Sequence, residues 1–143
     1  MGAYSFWPRV SMPISARPFL MFQGDAEAAM TLYRAVFGEA ARILKINRYG
    51  PGEAGAEGSV KVALFQIADQ EIKCIDSPMK HAFGFTPAIS LYVNFDSEDE
   101  LGRVAVALAE GGAVYMPLDD YGFSRKFTWV GDRYGVTWQL NLP

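Results

Sequence analysis

Cysteine occurs once, at Cys74, and histidine once, at His81, in this 143-residue chain. A single thiol excludes an intramolecular disulfide framework. One imidazole leaves little for a metal site built on histidine. Charged residues make up only 20%, acidic ones outnumber basic ones 16 to 13, and the pI is near 5.1. A surface for nucleic acid or an anionic membrane needs clustered Lys and Arg, so neither partner is expected. No apolar run approaches the roughly 20 residues that span a bilayer. Met1 to Arg17 is interrupted by Arg9 and Pro13 and does not read as a secretory leader. Phe6 stands where a myristoylation signal has Ser or Thr. What the chain does have is 50% hydrophobic residues, too many for disorder and enough for one core. The expectation is a cytoplasmic globular domain.

The pattern of that apolar content repeats. Phe19 to Gln23 reads as a short strand, and Asp25 as the N-cap of a helix carrying Met30, Tyr33 and Phe37 at helical spacing. Gly38 should end it, since a left-handed residue costs least there. Three strands follow, over Arg42 to Tyr49, Val60 to Ala68 and Glu71 to Asp76. The second half has the same order. A strand runs from Ala88 to Phe95, and Ser97 with Glu100 makes a capping box. Leu101, Val104, Ala105 and Leu108 give the helix its apolar face, and Gly111-Gly112 end it. Strands are expected over Val114 to Leu118, Lys126 to Val130 and Val136 to Asn141. The fold class is α+β, with two βαβββ modules. Residues 1–16 form an extension, 17–82 the first module and 83–143 the second, in one compact domain. Neither module buries both faces of its sheet alone, so the two pack together or against another chain.

Phe19-Leu-Met-Phe-Gln-Gly24, Ala26 to Met30 and Tyr33 to Gly38 carry a resemblance, joined by Phe83 to Leu91, Gly111-Gly112 and Trp129 to Leu142. From about Arg17 onward, the chain resembles the PhnB-like family of the vicinal-oxygen-chelate (glyoxalase) superfamily. Members of that family are often labelled 3-demethylubiquinone 3-methyltransferase. The resemblance implies curved mixed sheets whose concave sides line a cavity, and commonly a homodimer. It does not imply one reaction. Superfamily enzymes hold a divalent ion with His and carboxylates from the first and last strand of each module. On this chain those positions fall at Pro18 or Phe19, at Ser90, at Gln139, and at Cys74 or Asp76. Pro and Phe cannot ligate, and Ser and Gln are weak neutral ligands. His81 lies between the modules. No metal cofactor is expected.

Other chemistries fit less well. Gly50-Pro-Gly52-Glu-Ala-Gly55 matches the spacing of nucleotide-binding loops, but a strand rather than a helix follows it. Methyl transfer also needs a longer parallel sheet than this chain holds. Cys74 is away from any helix start, and Lys73 points to the opposite face of its strand, so the thiol reads as a plain buried one. The acidic run Asp96 to Glu100 is explained by a helix dipole. Tyr121, Phe123, Phe127, Trp129, Tyr134 and Trp138 are core or cavity wall, since no basic groove accompanies them.

Strand alternation points to a site. Val136, Trp138 and Leu140 share one face, expected against the helices, and Thr137, Gln139 and Asn141 share the other. Likewise Ile89, Leu91 and Val93 leave Ser90, Tyr92 and Asn94 opposite. These polar faces should converge beside Cys74 and Asp76 in a pocket for a small polar or aromatic molecule. The expected ligand-binding residues are Cys74, Asp76, Ser90, Tyr92 and Gln139. The expected function is small-molecule binding, by a homodimer without a catalytic metal. The alternative is a metal-dependent glyoxalase-type lyase, isomerase or dioxygenase.

Overall fold

Leu20 and Phe22 alternate with Phe19 and Met21 along β1 (Phe19–Phe22), and the chain turns through Gly24 into α1 (Ala26–Phe37). The structure is a computed structural model that describes residues 14–143, so the expectations for Met1 to Pro13 lie outside the described residues. A short 3₁₀ turn leads to β2 (Ala41–Arg48), then β3 (Val60–Ile67) and β4 (Gln70–Asp76). The second half supplies β5 (Leu91–Asn94), α2 (Glu98–Ala109), β6 (Ala113–Asp119), β7 (Lys126–Gly131) and β8 (Thr137–Leu142). The strands form two four-stranded sheets, ordered β1-β4-β3-β2 and β5-β8-β7-β6. In each, the first and last strands pair in parallel and the others antiparallel. The α+β class with repeated βαβββ order is as the hydrophobic pattern predicted.

One face of each sheet is closed by its helix. Ala29, Met30, Tyr33 and Phe37 of α1 share a core with Ala63, Phe65, Ile72 and Cys74, and the Tyr33 ring stacks on Phe65 at 5.9 Å. Leu101, Val104 and Leu108 of α2 are fully buried with Val130, Trp138 and Leu140. Gly38 ends α1 at φ +61°, a conformation that favours glycine. Gly112 is required for another reason: a Cβ there would collide with the Gly131 carbonyl.

The two halves also share core. The Trp138 ring of β8 packs on Tyr33 and Phe37 of α1, at 5.0 and 5.4 Å between centroids. Between them sits the buried carboxylate of Asp132. Its Oδ2 accepts from Tyr33 Oη (2.7 Å) and Trp138 Nε1 (3.0 Å). Its Oδ1 accepts from the backbone of Tyr134 (2.9 Å) and Val136 (3.2 Å). A buried carboxylate is tolerable only when its lone pairs are filled this way.

Three local expectations need correction. Asp25 makes no capping bond; Asp76, fifty residues on, does that work. Its Oδ1 accepts from Gly24 N (2.8 Å) and Ala26 N (2.9 Å), and its Oδ2 from Val60 N (2.9 Å). Ser97 Oγ does accept from Glu100 N (3.2 Å), but the Glu100 carboxylate binds Arg103 instead of returning to Ser97. The fifth strand is shorter than Ala88 to Phe95, because Pro87 and Ala88 form a turn and Ile89 is exposed.

Candidate functional site

Each sheet has a second face, turned away from the helices, and the registers define what it carries. In the second sheet Tyr92 lies beside Gln139, and Gln139 beside Trp129. The next row sets Asn94 beside Asn141 and Asn141 beside Phe127. The aromatic side chains form two groups: Tyr92 is 6.4 Å and Phe123 5.0 Å from Phe127, and Tyr115 is 5.2 Å from Trp129. β6 extends these rows with Met116 beside Trp129 and Asp119 beside Phe127, so the charge they carry is one carboxylate at the edge of the sheet.

Of the residues singled out by sequence, Tyr92 and Gln139 are neighbours on this open face. Gln139 is half-buried, and among the described residues its amide makes no hydrogen bond. Ser90 precedes the strand, 2.7 Å from Thr137 Oγ1, which itself donates to Ile89 O at 2.7 Å. The Ser90 hydroxyl therefore donates to Thr137 and keeps only acceptor capacity. Ser90, Tyr92 and Asn94 line a cleft of about 600 Å³ with Pro18, Gln70 and Ile72 of the first half.

Cys74 and Asp76 are not part of this group. Both face α1. Cys74 is fully buried with its Sγ 3.8 Å from Met30 Sδ, and burial, then the Asp76 charge, push its thiol up to about 12. A thiol so held is not a nucleophile at neutral pH. The Asp76 carboxylate is filled by three backbone N–H groups and has no free edge for a ligand. Both stand on the helix side of the sheet, apart from the open-face residues expected to join them. Alternation does set Cys74 opposite Lys73, but the open side is Lys73's.

Sequence reasoning put Asn141 on the polar face and Trp129 in core or cavity wall, but could not show that both lack partners. Trp129 Nε1 and Asn141 Oδ1 are buried and have no hydrogen-bond partner. The Asn141 amide donates to Asn94 Oδ1 at 2.8 Å, so only its oxygen is orphaned. Alternation along Lys126 to Val130 would have put Phe127 and Trp129 on one face, but only pairing with β8 fixes which face.

The fold family's metal finds no donor set here. The corresponding open-face positions hold Phe19 and Lys73 in the first sheet, and Tyr92 and Gln139 in the second. An ammonium, a phenyl ring, a neutral phenol and a neutral amide do not make the charged or imidazole donor set of a divalent ion. No cluster of three His, Cys, Asp or Glu side chains occurs among the described residues. His81 is bonded to Ser77 Oγ (2.8 Å) and stacked on Phe83. The glycine-rich Gly50 to Gly55 segment joins antiparallel β2 and β3, with no helix to meet a phosphate. No helix among the described residues is long and apolar enough to cross a membrane.

Two mixed four-stranded sheets of repeated βαβββ order, each with one helix, define a glyoxalase-type fold. Residues 15–141 match the family model described as 3-demethylubiquinone-9 3-methyltransferase, and the chain belongs to this PhnB-like family of the vicinal-oxygen-chelate superfamily. It is 47% identical to the PhnB protein from Bacillus cereus, over 91% of this chain and 100% of that one, with a TM-score of 0.85. A protein from Pseudomonas aeruginosa is 27% identical over 90% and 97%, at a TM-score of 0.77. The fosfomycin resistance protein FosX from Mesorhizobium loti shares the fold at 15% identity, over 91% of each chain, at a TM-score of 0.59. None of the curated proteins matches the chain.

Proposed function

We propose that this PhnB-like protein binds a small molecule on the open face of its second sheet without a catalytic metal, as a homodimer in the cytoplasm. The observation that carries the reading is Gln139. It stands where superfamily enzymes use a charged ligand, its amide is unpaired among the described residues, and Tyr92 adjoins it. An amide both donates and accepts, so it can orient a polar group without an ion. The family's methyltransferase description receives no support from the Gly50 to Gly55 loop or from sheets with a single parallel pair each.

The test begins with thermal-shift screening of small acids, amides and aromatics. For any molecule that binds, Gln139→Leu weakens affinity by about 1–3 kcal/mol, the cost of an unpaired group in a closed site. Metal content after chelator-free purification stays substoichiometric. A hit list whose affinities ignore Gln139→Leu, or stoichiometric metal surviving dialysis, sinks the reading. Dimerisation is supported by the open faces themselves, where Phe19 is 53% and Tyr92 54% exposed. A closed two-fold pair would cover them. Light scattering should return twice the 15.8 kDa chain mass; a monomer at micromolar concentration refutes the dimer.

A further inference from the structure

The open face of the second sheet specifies more than a generic pocket. Two of its polar atoms lack partners, and they are of opposite kinds. Trp129 Nε1–H is a donor with no acceptor, and Asn141 Oδ1 is an acceptor with no donor. Asn141 is 5% exposed, so water cannot readily fill the gap. Buried polar groups in native proteins are nearly always satisfied, and an orphan calls for a reason. Trp129 pairs with Gln139 and Phe127 with Asn141, which makes Trp129 and Asn141 diagonal neighbours on one face. Such diagonals lie roughly 7–8 Å apart. The wall around them is aromatic, with rings inclined to one another: Tyr92, Tyr115, Phe123 and Phe127.

Positive charge is what this face lacks. The β5, β7 and β8 registers put Tyr92, Asn94, Phe127, Trp129, Gln139 and Asn141 there, β6 adds the Asp119 carboxylate beside Phe127, and none can compensate a carboxylate. Desolvating an anion beside these groups would carry a heavy penalty. A neutral ring would meet aromatic faces, where offset or edge contacts are favourable. An acceptor on that ring satisfies the Trp129 N–H, and a donor satisfies Asn141 Oδ1.

We propose that this face recognises a flat aromatic molecule without negative charge, bearing one hydrogen-bond acceptor and one donor, read by Trp129 Nε1 and Asn141 Oδ1. The proposal rests on the binding function proposed above and names its ligand class. Carboxylic acids, which expose only acceptors once ionised, are then poor ligands.

The experiment uses two probes of the same ring, 2-naphthamide and 2-naphthoate, titrated into the full-length protein. Binding is read by calorimetry and by the indole N–H resonances in a ¹H–¹⁵N spectrum. The chain has three tryptophans, and loss of one peak in Trp129→Phe assigns the Trp129 signal. The amide should bind at least tenfold tighter than the acid and shift the Trp129 indole resonance. Trp129→Phe keeps a ring and should lose about tenfold in amide affinity, one hydrogen bond's worth. Equal or tighter binding of the acid, or an unmoved Trp129 resonance at amide saturation, overturns the proposal. If both probes bind equally and Gln139→Leu still weakens them, the ligand chemistry falls and the binding site stands. If neither binds nor moves any resonance of β5, β7 or β8, while other fragments in the thermal-shift screen do bind in a Gln139-dependent way, only this ligand class falls. If no fragment binds at all, both readings fall.

Discussion

Corresponding triples of residues on the two sheets show how one frame carries two surfaces. In the first sheet the registers align Phe19, Lys73 and Leu64; in the second they align Tyr92, Gln139 and Trp129. The next row sets Met21 and Ile75 against Asn94 and Asn141. The helix-facing rows match in character, Ile72 and Cys74 against Trp138 and Leu140, because both must exclude water. The open rows do not match. The first combines Phe19 and aliphatic side chains with the Lys73 ammonium, and a larger hollow of about 860 Å³ over it contains Arg17, Arg42, Gln66 and Glu71, with Arg17 paired to Glu71 at 2.8 Å. The second is mostly aromatic and amide and lacks a cation, with unpaired polar atoms. Topology fixes where a side chain stands; only its chemistry decides whether that position can hold a ligand.

The largest expected effect tests the helix-facing half of this comparison. Trp138→Ala removes a ring packed on Tyr33 and Phe37 and one of the four donors to Asp132. It should cost about 3–5 kcal/mol in denaturant unfolding. Gln139→Leu, one residue away on the open face, should change stability by about 0.5 kcal/mol or less. Equal losses in the two variants would mean that the face assignment of β8 is wrong, and the binding face with it.

A smaller effect distinguishes Cys74 from its second-sheet counterpart Leu140. The buried thiol is pushed up to about 12 from an ordinary value of 9.0. Above pH 9 the unfolded chain therefore releases this proton while the native one keeps it. A raised native pKa gives stability that is fully present below the unfolded value and lost as pH rises. Unfolding free energy should be insensitive to this group below pH 9 and fall between pH 9 and about 12. Tyr33, raised by burial and then by Asp132, adds a decline of the same sign. In Cys74→Ala the alkaline slope should be shallower, whatever cavity the variant leaves. An unchanged slope between pH 9 and 11 would show that the thiol is not sequestered.

These two tests also mark what could be read without coordinates. The repeated strand–helix–strand order, the helix faces and the Trp138 side of β8 follow from local periodicity, which a sequence displays directly. The partners of Asp76 do not, because a carboxylate 52 residues from Gly24 and 50 from Ala26 took the cap that Asp25 was placed to make. Nor does the side that Cys74 takes: alternation shows that Cys74 and Lys73 oppose each other, but only the parallel pairing with β1 shows that α1 covers Cys74. Of the proposed site, alternation puts Tyr92, Gln139 and Asn141 on one side of their strands; the partners that Trp129 and Asn141 lack have no signature in sequence.

The smallest effect on stability carries the sharpest test of the comparison. Gln139→Lys gives the second sheet the ammonium that Lys73 provides in the first, on a half-buried position whose amide has no bond to lose. Folding should change by about 0.5 kcal/mol or less, since the longer side chain can carry its charge to water. Ligand preference should change far more. The wild-type face is expected to favour 2-naphthamide over 2-naphthoate because no cation there offsets a carboxylate. Once the ammonium is in place, a charge-assisted bond worth about 1.5–3 kcal/mol becomes available to the acid alone. The acid should then bind as tightly as the amide or more so, in a calorimetric titration at low salt. Unchanged discrimination in a folded Gln139→Lys variant would mean that Gln139 does not touch the ligand, and that the lack of a cation on this face is not what selects it.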